Sequence, residues 1–527
     1  MDQLNFLDTP GLLEEISEYR SQLEIVNSLA LDNEIFERWK RGEAQPNPHY
    51  QKALVQYCLR HDLMDVLEYY VSGLPSYNPY SSFQFDTLPL GYGRPIGPTQ
   101  ALRILSTKIA GKSVGFPIGV PASILTGTSR WIEFYAKRGF DILTYKTVRT
   151  LEWDVYDKPN VGFIPETHHL KTRSDFNKKL FADPDFIPYN SNEITAANSF
   201  GIPSLSPKEW QEDISRAKSV LGSGKILIVS VTGTTLLNND SFEYLVNDFV
   251  KAASMAREAG ADAIELNLSC PNVKGHHEGD LYLYPEETKQ VVQAVWEKAI
   301  NKGETPLLVK IGYLESSLLR QLVKEISSYV AGIVAINTIA APIYDKHTLE
   351  QFFPPDKKRD NDRIWAGVSG SAIREFAKEV VRNLVVLREK EHYEFDVLAV
   401  GGVSNSQHVQ DYLNLGANGV LSCTGALVNP NLALETRQQI GEYPRNDKII
   451  HDTDRDKKEW EVNIMKDKEK DPKEGRIPDI EPGYGRYKPR PLSGSKDSEE
   501  KNKSLATILR ELLQPSKVPA QNEKKDK

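Results

Sequence analysis

Between about residues 114 and 442, short apolar runs alternate with stretches in which apolar positions recur at spacings of three and four. The runs are FPIGVPAS, DILTYKT, ILIVSVTG, AIELNLS, PLLVKIG, GIVAINT, VLAVGG and GVLSCTG. Most are nearly continuous apolar segments, as parallel strands are when both faces of their sheet are covered. The stretches between them predict amphipathic helices. In AKRGFDILTYK, AREAGADAIELN and LNLGANGVLSC a glycine can end the helix before the next run. Eight such strand–helix units predict an α/β fold closed into a (β/α)8 TIM barrel. A doubly wound open sheet has the same local pattern and stays open as an alternative.

The pattern changes on both sides of this zone. Residues 1–113 read as a helical extension and a connector. LLEEISEYRSQLEIVNSLAL and YQKALVQYCLRHDLMDVLEYYVSG carry helical spacing, and LPSYNPYSSFQFDTLPLGYGRPIGP is rich in turn-forming residues. Residues 443–527 read as a charged, largely disordered tail, poor in branched apolar residues. Within it, 504–514 could form one short amphipathic helix, too short to be stable alone.

Composition narrows the class. The chain has 527 residues, too many for one compact domain, so extensions around a central domain are expected. A net charge of −8 leaves no general footprint for nucleic acid or an anionic membrane. No stretch approaches the roughly 18 uncharged apolar residues of a membrane span. The amino terminus carries acids early and lacks a basic region followed by an apolar run, so no signal peptide is read. Three scattered cysteines, Cys58, Cys270 and Cys423, make neither a disulfide framework nor a self-contained metal site. No metal is expected, and the setting reads as reducing and cytoplasmic.

In a barrel of this kind the site lies at the carboxyl ends of the strands, and polar residues collect there. DILTYKT ends in Lys146-Thr147, AIELNLS runs through Asn267 into Ser269-Cys270-Pro271-Asn272, PLLVKIG holds Lys310, and GIVAINT ends in Asn337-Thr338. A lysine closing an apolar strand can simply reach water. Two lysines and several amides at one mouth call for a polar ligand or for one another, because burying them unpaired is costly. Gly401-Gly402 and Thr424-Gly425 close the last two runs, and glycines there let backbone N–H groups approach a phosphate. GG alone could be a turn; with Gly370 in GVSGSAIREF, a phosphate cradle becomes the better interpretation.

A lone cysteine is more often a small buried apolar residue than a reagent. Cys270 follows a strand and precedes a proline, in a loop that should face the mouth. A thiolate there could remove a carbon-bound proton if its surroundings adjust its pKa. Cys423 lies in the expected phosphate region and is taken as structural.

IELNLSCPNVKG at 264–275 resembles the active-site segment of the class 1, cysteine-base dihydroorotate dehydrogenases. The family's other elements follow in order: VPAS at 120–123, YKT at 145–147, NSFGIP at 198–203, LLVKIG at 307–312, then AINT, GVSG, AVGG and SCTGAL. The resemblance implies oxidation of dihydroorotate to orotate in pyrimidine biosynthesis, with bound FMN. It implies Ser123, Lys146, Thr147, Asn267, Lys310, Gly370, Gly401, Gly402 and Thr424 around the flavin. It also implies that Lys146, Asn198, Gly201, Asn267, Asn272, Asn337 and Thr338 hold the pyrimidine, and that Cys270 removes the C5 proton. The electron acceptor stays open among fumarate, NAD through an iron–sulfur subunit, and a quinone; a homodimer is compatible.

Several features depart from the family. Ser204 stands where many relatives have asparagine, the segment between Thr150 and Asn198 is long, and VKGHHEGDLYLYPEE after SCPN differs from the common class 1 loops. These bear on substrate and acceptor more than on the flavin. Class 2 relatives carry serine at the base position. A tRNA dihydrouridine synthase is the alternative enzyme, but it expects glycine where Ser269 stands and a basic surface. Other dihydropyrimidine dehydrogenases need iron–sulfur modules that this sequence does not contain. A non-enzymatic scaffold would leave the flavin and base positions idle.

Overall fold

The computed structural model describes residues 9–440, except 45, 47, 64–74, 82, 94–104, 168–169, 187–192, 236–240, 270–278 and 360. The charged tail with its expected helix at 504–514, and the loop bearing Cys270 and Asn272, lie outside the described residues. The chain separates into Met1–Tyr484 and Gly485–Lys527, and the second unit falls wholly outside them.

All eight apolar runs form strands, which we label β1 (Ile118–Val120), β2 (Ile142–Val148), β3 (Ile226–Val231) and β4 (Ala263–Asn267). β5 (Leu307–Ile311), β6 (Gly332–Ala335), β7 (Asp396–Val400) and β8 (Gly419–Leu421) complete the set. Each pairs in parallel with its neighbours in chain order, and β8 pairs with β1, so the sheet closes. The fold is a TIM barrel; the open-sheet alternative falls because no strand edge is left unpaired. Helices between the strands, such as Phe242–Glu258 after β3 and Arg374–Glu391 before β7, cover the outside.

Alternation along each strand decides what faces inward. On β2, Leu143 and Tyr145 pack outward in the large cluster under the helices, while Ile142 joins the separate cluster inside the barrel. On β4 and β5 the same split sends Ile264, Leu266, Leu307 and Val309 out, and Ala263 and Leu308 in. Two and four residues further along the inward rows stand Lys146, Asn267 and Lys310. The apolar floor therefore gives way to a polar rim through the period of the strand itself. A hairpin, Thr107–Ile109 with Lys112–Val114, closes the floor by adding Ile109, Ala110 and Val114 to the inner cluster.

Over the mouth lies a five-stranded sheet absent from the sequence-based expectation. Its order is Val161–Phe163, Thr195–Asn198, Trp365–Gly370, Ile339–Asp345, Leu180–Ala182. The long segment after Thr150 and the chain after β6 supply all of it. The amino-terminal zone is helical as expected, in Thr9–Tyr19, Gln22–Ser28, Asn33–Lys40 and Pro48–Arg60. Its connector returns to the barrel, where Ser76 donates its N–H to the Leu427 carbonyl at 2.7 Å.

Candidate active site

A cavity opens between the barrel rim and the five-stranded sheet, with about 1220 Å³ of empty space counted out to its mouth. The strand ends bring Ser123, Lys146, Thr147, Asn267 and Lys310 to its wall; the segments after β6 and β7 add Asn337, Thr338, Gly370, Gly401 and Gly402. Asn198 and Thr424 line it as well. Gly201 does not: it packs behind the wall against Tyr156, while its neighbours Phe200 and Ile202 face the cavity. Ser369, Phe200, Ile202 and Cys423 are lining residues not singled out from sequence as site residues.

The rim amides form a line of hydrogen bonds. Thr147 and Ser230 share one at 3.0 Å, Asn267 Nδ2 donates to Thr147 Oγ1 at 3.1 Å, and Asn337 Nδ2 donates to Asn267 Oδ1 at 3.3 Å. Asn337 Nδ2 also donates to the Ser269 carbonyl, and its Oδ1 accepts from Thr338 N–H at 2.9 Å. The backbone just before Cys270 is thus held by a residue from the end of β6. Ser123 caps the short turn Ile124–Thr126, accepting from Leu125 N–H at 3.2 Å, which fixes it at the cavity edge.

Two features test whether a flavin phosphate fits. Lys310 is 5% exposed and, among the described residues, its ammonium has no hydrogen-bond partner although it lines the cavity. A buried cation in that state calls for an acceptor or an anion. Near the ends of β7 and β8, no protein acceptor among the described residues meets the N–H groups of Gly402, Thr424 and Gly425. Gly402 adopts φ +68°, and a Cβ there would lie 2.5 Å from Arg374 Cβ. Only glycine fits the chain at this point of the cavity wall. A cationic ammonium and unclaimed amides suit a ring system carrying a phosphate, so the residues fit the group.

Below the rim, Glu265 is fully buried and its carboxyl oxygens find no aligned partner among the described residues, although Ser230 lies beside it. Burial pushes its pKa up, and the nearby Lys310 charge opposes that. Cys423 borders the cavity with its thiol pushed up by burial, against a hydrogen bond with Ser123. That agrees with a neutral lining thiol. Ser204 is buried away from the cavity, accepting from Arg149 N–H at 3.1 Å and donating to the Leu205 carbonyl at 2.9 Å.

A parallel α/β barrel with glycine-bearing turns after β7 and β8 and a lysine–asparagine rim at β2, β4 and β5 suits a cofactor-dependent barrel enzyme. Comparison with known proteins makes the class specific. The family described as dihydroorotate dehydrogenase matches residues 188–442. A dihydroorotate dehydrogenase of Dictyostelium discoideum is 33% identical over 329 residues, covering 62% of this chain and 85% of that protein. The catalytic subunit of dihydroorotate dehydrogenase B (NAD(+)) of Thermoplasma volcanium is 23% identical over 316 residues, covering 60% of this chain and 85% of that protein. The corresponding subunit of Staphylococcus carnosus is 27% identical over 214 residues, covering 41% and 61%. The chain belongs to the dihydroorotate dehydrogenase family, a family of flavin-dependent oxidoreductases. Among the described residues no helix is long and apolar enough to cross a membrane.

Proposed function

We propose that this protein oxidises dihydroorotate to orotate in pyrimidine biosynthesis, with FMN as its flavin and Cys270 as the base. The observation that carries this reading is the buried Lys310 ammonium, without a hydrogen-bond partner among the described residues, facing the same cavity as the Asn267–Asn337 pair. Bound FMN supplies the acceptor for the hydride that leaves C6 of the substrate. Lys310, Ser123, Thr147, Gly370, Gly401 and the amides at Gly402 and Thr424 would hold it. Lys146, Asn198, Asn267, Asn272, Asn337 and Thr338 would orient the pyrimidine, since amides match imide and carboxylate groups through paired donors and acceptors. Cys270 takes the C5 proton. Asn337 supports that step from behind by fixing the Ser269 carbonyl.

The test is Cys270→Ala. The variant keeps its flavin and loses the reductive half-reaction by several orders of magnitude. An unchanged rate removes Cys270 from the base position. Reoxidation of the reduced protein by fumarate, by NAD or by a quinone identifies the acceptor; an NAD route needs an iron–sulfur partner subunit.

A further inference from the structure

The segment Asn198–Ile202 forms one wall of the cavity, and its residues alternate. Asn198, Phe200 and Ile202 face the cavity. Ser199 and Gly201 face the other way, into the structure built by the long segment after Thr150 and the chain after β6. Two buried arginines reach this back face. Arg363 is 1% exposed, and each of its five N–H donors has an oxygen acceptor. Nε donates to Ser199 Oγ at 3.0 Å and Nη2 to the Ser199 carbonyl at 2.9 Å. The remaining donors reach the Asp157, Pro159 and Pro354 carbonyls at 2.9, 3.2 and 2.9 Å. Arg149, also buried, donates from Nε to the Ile202 carbonyl at 3.1 Å and from Nη1 to Thr234 Oγ1 at 2.7 Å, and its own N–H reaches Ser204 Oγ at 3.1 Å.

Aromatic rings and guanidinium groups alternate between the two. Arg149 lies 4.6 Å from the Trp153 ring centre, Arg359 lies 4.9 Å from Trp153 and 5.2 Å from Tyr156, and Arg363 lies 4.9 Å from Tyr156. Such stacking holds a desolvated cation over a ring face. Gly201 closes the arrangement: at φ +78°, a Cβ would meet the Tyr156 ring at 2.6 Å. Among the described residues no carboxylate takes a hydrogen bond from Arg363. Burial lowers its pKa to about 10, against the nearby Asp356 and Asp157 charges, so it stays charged at neutral pH, while its donors meet neutral oxygens: four backbone carbonyls and the Ser199 hydroxyl. A cation so placed fixes where the chain runs. Lysine, with a compact ammonium, cannot reproduce the fan.

We propose that Arg363 and Arg149 are positioning residues that clamp the Asn198–Ile202 wall from behind and thereby set how tightly the ring ligand is held. This rests on the reading that the cavity binds dihydroorotate and orotate. The clamp acts on the substrate wall and not on the phosphate cradle, so its loss separates substrate binding from flavin binding.

The experiment uses the full-length, flavin-loaded protein with Arg363→Lys, Arg363→Met and, because a buried arginine variant can fail to fold, Gly201→Ala. The inference expects flavin affinity within about twofold of wild type and KM for dihydroorotate raised roughly tenfold or more. The Kd for orotate, read from the flavin spectrum, should rise in parallel, with kcat changed by less than about threefold. Hydrogen exchange at residues 199–202 should quicken in each variant relative to the wild type. Slow exchange and an orotate Kd within about twofold of wild type in the folded variants would overturn the clamp. Wild-type protein that binds flavin but neither oxidises dihydroorotate nor responds to orotate would instead overturn the substrate reading, and the exchange result would still judge the clamp.

Discussion

Asn337 Nδ2 donates to Asn267 Oδ1 across 3.3 Å, joining the end of β6 to the end of β4 at the cavity wall. Because Asn337 also holds the Ser269 carbonyl and the Thr338 N–H, one side chain fixes three backbone or side-chain positions around the Cys270 loop. Asn267 keeps one of its two amide hydrogens beyond the bond to Thr147. The pair reads as a prearranged template, with its own hydrogen bonds made before a ligand arrives.

Asn337→Ala should therefore damage chemistry more than cofactor binding. Misplacing reacting groups by about 1 Å can cost on the order of 100-fold. Flavin reduction by dihydroorotate, followed by stopped flow, should slow by about that factor while flavin content stays at the wild-type level. Loss of flavin with an unchanged rate in the remaining holoenzyme would contradict the assignment.

Lys310→Met should do the reverse and loosen the flavin. A hydrogen bond from a charged group contributes about 1.5–3 kcal/mol, roughly 10- to 100-fold in affinity. Fluorescence titration of the apoprotein with FMN measures this directly. A Kd within about twofold of wild type would show that the buried ammonium faces something else.

Gly402→Ala places a Cβ 2.5 Å from that of Arg374 at φ +68°, a conformation costing a side chain about 1–3 kcal/mol. Thermal unfolding of the apoprotein should report that loss, and FMN affinity should fall with it. Normal stability and affinity would mean that the cradle adjusts without cost.

Glu265 gives a pH prediction. Its folded pKa is raised above the ordinary 4.5 by burial, so between these values the native state binds more protons than the unfolded chain. Its contribution is complete below about 4.5 and is lost as pH rises through the folded pKa. Glu265→Gln cannot ionise, so the stability of the variant relative to wild type should increase from pH 4 toward neutrality. Denaturant unfolding across that range, in apoprotein, checks it; a gap independent of pH would show that Glu265 is ionised with a compensating partner.

Much of this site was legible in the sequence because it is written in the strand period. Lys146, Asn267 and Lys310 each end an apolar run on its inward row, and a barrel brings such ends together. The mouth sheet was not legible. Val161–Phe163 and Leu180–Ala182 are three residues each, too short to show a period among the prolines and charges around them. Arg363, within RDNDRIW, looks like one more solvated charge, and only the folded chain delivers it to the Ser199 carbonyl. Gly201 was assigned to the ligand through the resemblance, yet it lies against Tyr156, and its lack of a side chain serves the ring behind the wall. Ser204 likewise accepts from the Arg149 N–H, away from the cavity.

The most direct measurement is anaerobic mixing of the FMN-loaded protein with dihydroorotate, following the flavin band and the orotate formed. The account predicts that the yellow band bleaches and that one orotate appears for each flavin reduced. A flavin that stays oxidised in the presence of dihydroorotate would contradict it.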